Sequence, residues 1–184
     1  MPKLVCTKVE VYIFRRRRGR VEILALRRAP NRRLLPGVWQ PVTAKIEAGE
    51  RALDCAFREV VEETGITPRR LWAIGTVTVY FDGAADTVNA LPLFAAEVDP
   101  KASVTLSREH DASAFVSPPE AGRRFLWESQ RRGLELLRRE VLRGGALARA
   151  LDVTHLVMGN AAEPRRAVSR GTHRVARRRS AGGG

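Results

Sequence analysis

Hydrophobic and polar positions divide the chain into stretches of different period. Residues 4–14, LVCTKVEVYIF, are rich in β-branched and aromatic types and predict a strand. The charged RRRRGR of residues 15–20 reads as a solvated hairpin tip, and residues 21–27, VEILALR, return as a second strand. Pro30, Pro36, Gly37 and Pro41 then interrupt any pattern, so 29–41 is expected to be an irregular loop. From 50 to 64 the period becomes helical. Leu53, Phe57, Val60 and Val61 stand at i, i+4, i+7 and i+8. Gly65 follows where a left-handed helix cap belongs.

Two further strands are expected over 71–81 and 88–98, with Asp82, Gly83 and Asp86 in the turn between them. A short strand over 112–116 precedes a stop at Pro118–Pro119. One amphipathic helix over about 120–143 carries Leu134, Leu137, Val141 and Leu142 along one side, and 145–158 adds a short helix. Strands gathered around one helix, with another helix after them, indicate an α+β chain with a mixed sheet. The expected organisation is one domain over 1–160 and a polar, arginine-rich, disordered tail over 161–184.

Composition narrows the class. A chain of 184 residues with 44% hydrophobic and 29% charged residues can build one core, which excludes fibrous and wholly disordered types. No apolar run approaches the ~20 residues of a membrane span. Lys8 and Glu10 interrupt the run that a secretory signal would need, so the expected location is cytoplasmic. Cys6 and Cys55 form neither a disulfide framework nor a zinc spacing, and both are expected to be small buried hydrophobes. The formal charge of +13 invites a nucleic-acid reading. Seven arginines after Pro164 carry more than half of it, however, and only four of the 33 basic residues are lysines. That bias is compositional, so nucleic acid is expected only as a non-specific contact of the tail.

The chemistry concentrates in residues 44–66, AKIEAGERALDCAFREVVEETGI. Glu59, Glu62 and Glu63 share one helical face, with attachment points about 5–6 Å apart. Like charges so placed oppose the helix unless water or a cation neutralises them. With few nitrogen or sulfur ligands nearby, the suitable ions are Mg²⁺ or Mn²⁺. Arg58, four residues before Glu62, can orient and hold a carboxylate.

This stretch resembles the signature of the Nudix hydrolases. After Glu50 come seven residues, then Arg58, Glu59, Val60, Val61, Glu62, Glu63, Thr64, Gly65 and Ile66. Every specified position matches except the opening glycine, which is Ala44 here. The resemblance implies an α/β/α sandwich and a metal-dependent hydrolase of pyrophosphate bonds. By the same resemblance, Arg58, Glu59, Glu62 and Glu63 form the catalytic set. Glu59, Glu63, Glu109 and the backbone carbonyl of Ala44 are the metal ligands. Outside the box, Trp39-Gln40-Pro41-Val42-Thr43 and Leu106-Ser107-Arg108-Glu109-His110 look like the dATP and dihydroneopterin triphosphate pyrophosphohydrolase branch. Phe115 stands where that branch usually has another aromatic, often Trp.

Arg27 takes the place of the branch's phosphate-contacting arginine, and Thr43 is a second substrate candidate. Tyr80 and Phe81 could stack on a base or pterin ring, or belong to the core or rim; Trp39 is expected to pin its loop. The expected reaction is hydrolysis of a (deoxy)nucleoside triphosphate, or a similar small triphosphate, to monophosphate and pyrophosphate. Dinucleoside polyphosphates, nucleotide sugars and capped RNA remain open as substrates, as does a non-catalytic binding module on the same fold.

Overall fold

A computed structural model describes residues 1–158, so the expected tail lies outside the described residues. The order of elements is β1 (Lys3–Val5), β2 (Lys8–Arg17), β3 (Arg20–Arg28), β4 (Trp39–Gln40), β5 (Val42–Lys45), α1 (Ala52–Thr64), β6 (Arg70–Asp82), β7 (Thr87–Glu97), β8 (His110–Val116), α2 (Pro118–Arg124), α3 (Glu128–Leu137), a π-helical turn (Arg138–Leu142), α4 (Gly145–Ala150) and α5 (Thr154–Met158). One mixed sheet holds all eight strands. β7 runs parallel to β1 and β2, and the remaining pairings are antiparallel. β2 and β3 pair only near their hairpin. Beyond it, β5 pairs with β2 while β4 pairs with β3, so the Trp39–Lys45 segment fills the gap where the two long strands part.

The period-2 pattern of β2 decides which core each residue enters. Val9, Val11 and Ile13 face α1 and pack with Cys55, Ala56 and Val60. Tyr12 and Phe14 face the other way and pack with Phe125, Leu134 and Leu137 on the α2–α3 side. Both faces of the sheet are therefore covered by helices, the α/β/α sandwich anticipated from the sequence. Among the described residues no helix is long and apolar enough to cross a membrane.

Four local expectations are corrected. The first strand is interrupted at Cys6–Thr7, and Cys6 is exposed while Cys55 is buried. The 29–41 loop contains the two-residue β4. The helix expected over 120–143 is in fact two helices and a π turn. Pro118 and Pro119 follow the end of the strand as expected and also open α2, behind a Ser117 cap that accepts from the Glu120 N–H. Proline suits a first helical turn, where its missing N–H has no partner to lose. Phe125 leaves helical geometry (φ −70°, ψ 128°) to bury its ring against Tyr12, and Arg131 donates to the freed carbonyls of Phe125 and Leu126 at 3.1 Å. Residues 145–158 likewise form two helices, parted at Asp152, whose carboxylate accepts from the Thr154 N–H.

Gly133 sets how closely α3 approaches the sheet. A Cβ there would overlap the ring and hydroxyl of Tyr12. The absent side chain is what lets Tyr12 lie under the helix, with its hydroxyl oxygen 3.1 Å from the Gln130 carbonyl.

Candidate active site

The helix α1 carries the acidic face, and its two ends fix where that face points. Gly65 closes it in the left-handed region (φ 68°), its N–H donating to the Val61 carbonyl at 2.8 Å. The last carbonyls of a helix have no partner inside it. Here the Thr64 and Glu63 carbonyls accept from the N–H groups of Thr105 and Ser107 at 2.8 and 3.2 Å. Those two bonds tie the loop before β8 to the end of α1, and so bring Glu109 and His110 to Glu63. A bond from the Ala29 N–H to the Glu109 carbonyl, 2.9 Å, ties in the loop after β3.

Arg58 is the hub of the acidic face. Its guanidinium grips Glu50 with two bonds (2.8 and 2.9 Å) and reaches Glu59 at 2.6 Å and Glu62 at 3.0 Å. Glu50 also accepts from the Glu47 N–H. The fork holds the Glu50 carboxyl down at about 2. One planar cation thus cancels much of the mutual repulsion that the glutamate spacing creates.

Glu63 lies outside this network. It is buried, and Oε2 has no hydrogen-bond partner among the described residues. Burial first, then the charges of Glu59 and Glu109, push its carboxyl up to about 8. Burial also raises Glu59, chiefly, against the pull of Arg58. His110 Nδ1 stands 3.7 Å from Glu63 Oε2, and both ring nitrogens of His110 lack partners among the described residues. Burial lowers the imidazole, which works against an ion pair at this contact.

These residues open on a cleft of about 810 Å³. Its lining includes Glu59, Glu63, Glu109, Ala44, Arg28 and Arg32, and also Tyr80, Phe81, Trp127 and Leu91. Arg32 donates to Glu109 at 3.0 Å, and Arg28 to the Leu34 carbonyl at 2.9 Å. Thr43 and Lys45 also line the cleft. On the floor Glu10, buried on β2, accepts from the Tyr12 hydroxyl, and burial raises its carboxyl to about 6. Phe81 and Trp127 are more than half exposed, their rings free on the cleft wall.

The sequence candidates separate accordingly. Glu59, Glu63, Glu109, Ala44 and Thr43 meet in the cleft. Arg58 and Glu62 do not line it: Arg58 sits behind Glu59, and Glu62 stands more than half exposed on the outer side of the helix. Arg27 is corrected. It forms a bidentate pair with Asp111 (2.8 and 3.0 Å) away from the cleft, and the neighbouring Arg28 is the cleft residue. Successive side chains of a strand point to opposite faces, so a shift of one position moves the guanidinium to the other side. Trp39 also lies outside the cleft, stacked under Arg124 and bridged to Phe125. Trp127, Arg32 and Glu10 went unrecognised as cleft residues. Only the fold joins Trp127 to the site, since it follows the break at Phe125.

Ala44, the one departure from the signature, lies in β5 in ladder register with Val9. The non-glycine residues with positive φ among those described are Arg18, Leu35 and Asp86. Position 44 therefore has a backbone that alanine adopts without strain.

The donor set tests whether a divalent ion fits. All the candidates are oxygen atoms, which suits Mg²⁺ or Mn²⁺. The orphaned Glu63 oxygen is the buried acceptor that a cation would satisfy. No three His, Cys, Asp or Glu side chains among the described residues converge tightly enough to cage an ion by themselves. That is compatible with Mg²⁺, which is bound through one or two carboxylates completed by water and substrate phosphates.

Comparison with known proteins bears on the family and the fold. Residues 7–137 match the model of the NUDIX domain. The chain is 33% identical over 130 residues to an octanoyltransferase from Myxococcus xanthus, covering 67% of this chain and spanning about a third (34%) of that protein's length. Among solved structures, the fold is similar to a C. elegans Ap4A hydrolase (TM-score 0.63, 21% identity, 73% of this chain and 96% of that one). It is also similar to the E. coli dihydroneopterin triphosphate pyrophosphohydrolase (TM-score 0.57, 24% identity, 70% and 91%).

Proposed function

Since the chain belongs to the Nudix family and is a hydrolase, we propose that it is a Mg²⁺- or Mn²⁺-dependent pyrophosphohydrolase. Its substrate in this reading is a (deoxy)nucleoside triphosphate or a similar triphosphate, such as dATP or dihydroneopterin triphosphate, cleaved to monophosphate and pyrophosphate. The observation that carries the reading is the mixed lining of the cleft. An unpartnered buried carboxylate, two further carboxylates and two arginines share it with aromatic faces. A charged phosphate chain and a flat ring have those two requirements.

Glu59, Glu63, Glu109 and the Ala44 carbonyl would hold the ion. When bound, the ion supplies Lewis acidity toward the phosphate oxygens and the attacking water. The chain's own residues do the rest. Arg58 fixes the rotamers of Glu50 and Glu59, so the acidic face is ordered before substrate arrives. Arg28 and Arg32 offset the charge that spreads over phosphate oxygens in phosphoryl transfer. Thr43 and Lys45 line the path of the phosphate chain. Glu62, outside the cleft, is poorly placed to take a proton from water, which leaves Glu59, Glu63 or Glu109 for that role.

The test is a substrate panel with Mg²⁺ and Mn²⁺, scored for pyrophosphate against phosphate release. It should include the deoxynucleoside triphosphates, dihydroneopterin triphosphate, a dinucleoside polyphosphate, a nucleotide sugar and capped RNA. Pyrophosphate release from a triphosphate is expected, and Glu59→Gln and Glu63→Gln should each cut it by well over tenfold, about 1.4 kcal/mol of barrier or more. Unchanged turnover in both variants would refute the assignment. Preferential cleavage of one of the last three compounds would move the substrate class while keeping the chemistry.

A further inference from the structure

The floor of the cleft holds a charged group that neither packing nor the ion requires. Glu10 is only 3% exposed, and among the described residues no Lys, Arg or His is within ion-pair distance of it. Strand register sets it between Leu93 of β7 and Thr43 of β5, on the sheet face that α3 covers. The Tyr12 hydroxyl donates to Oε1. Gln130 lies near enough to ease the charge but makes no well-directed hydrogen bond to it, its own Oε1 accepting from the Trp127 N–H. Oε2 has no hydrogen-bond partner among the described residues, and it is not sealed from solvent as the orphaned Glu63 oxygen is. It opens on the cleft.

A buried carboxylate with a half-filled hydrogen-bond capacity is costly, because the charge gives up water without full compensation. A ligand with hydrogen-bond donors would supply the compensation. The neighbours say which part of a ligand arrives there. Glu10 is on the same sheet face as Lys8, whose ammonium reaches the Tyr80 hydroxyl at 3.4 Å. Trp127, Ser129 and Gln130 at the start of α3 line the same cleft. Tyr80, Phe81 and Trp127 are its aromatic faces, against which the ring of a substrate would lie.

We propose that Glu10 selects this ring, and that the ring presents two adjacent N–H donors, as the 2-amino-4-oxo edge of guanine or of a pterin does. The two carboxylate oxygens match an N–H and a neighbouring NH₂ side by side. Adenine offers one donor beside a ring acceptor, and that acceptor would face the carboxylate lone pairs. The proposal deepens the triphosphate reading above and rests on it for the identity of the remaining ligand, not for the role of Glu10.

The experiment compares kcat/KM for dGTP, dITP and dATP on the full chain with Mg²⁺, in the wild type and in Glu10→Gln. dITP differs from dGTP only by the missing 2-amino group. A site built to hold a donor discriminates strongly against the analogue that lacks it, so dGTP should exceed dITP by about tenfold or more in the wild type. Glu10→Gln should bring dGTP to within about threefold of dITP. Equal wild-type values for dGTP and dITP overturn the proposal, and this arm needs no variant. A parallel fall for all three substrates in Glu10→Gln also overturns it, since a merely structural carboxylate would act that way. So does a preference that follows the sugar, GTP over dGTP with dITP equal to dGTP.

Should the wild type hydrolyse no triphosphate, the triphosphate reading fails by itself. Glu10 is then judged by calorimetric binding of GMP, IMP and AMP. Preference for GMP that is lost in Glu10→Gln supports it, and equal binding of the three overturns it.

Discussion

Removing the charge of Glu10 should make the protein more stable. In the fold, burial raises this carboxyl from 4.5 to about 6. A raised carboxyl binds its proton more tightly in the native than in the unfolded chain, so the native state loses stability as pH rises through the interval. The penalty is negligible near pH 4, about 0.8 kcal/mol at pH 5, and about 2 kcal/mol at pH 8. Glu10→Gln keeps the shape and keeps an oxygen for the Tyr12 hydroxyl, while carrying no charge. Urea unfolding of both proteins between pH 4 and 8 isolates the term, because every other titrating group cancels in the difference. The variant should match the wild type near pH 4 and gain about 2 kcal/mol by pH 8. A difference that does not change with pH, or one that runs against the variant as pH rises, would refute the reasoning. Read with the ring-selection experiment, the same substitution should raise stability and lower selectivity, the exchange expected where a strained group is kept for function.

Three other perturbations test the architecture. Arg27→Ala should leave kcat/KM on the best triphosphate nearly unchanged and change stability little, since solvent screens its pair with Asp111. Arg32→Ala should raise KM several-fold, and steady-state kinetics on the two variants would expose a reversed assignment. Gly133→Ala should destabilise by about 1–3 kcal/mol, because the added methyl meets the Tyr12 ring; a thermal melt equal to the wild type would show that α3 can draw back at no cost.

Much of the fold was legible because its signals are local. The alternation of β2 and β3, the stripe of α1 and the cap at Gly65 depend on neighbours a few residues apart, and the structure has them where periodicity put them. The acidic face was legible for the same reason, the glutamate spacing being a property of one helix. The helix over 120–143 was not. Its apolar stripe continues through the stretch, and nothing local says that Phe125 will abandon helical geometry for a place beside Tyr12. The exposure of Cys6 was missed because a run of apolar types does not reveal that the strand is interrupted there.

By itself, then, the order of residues determined the chemistry on offer: three carboxylates on one helical face, an arginine able to hold them, and oxygen donors suited to a hard divalent ion. What lies opposite those groups was decided only in three dimensions. The loop that ties to the end of α1 delivers Glu109, strand parity sends Arg28 rather than Arg27 into the cleft, and the break before α3 brings Trp127 into the cleft that Glu10 also lines. Hydrogen bonding along a helix acts over about one turn, so a sequence states it directly. Contacts between residues 50 or 100 positions apart exist only once both faces of the sheet have been buried.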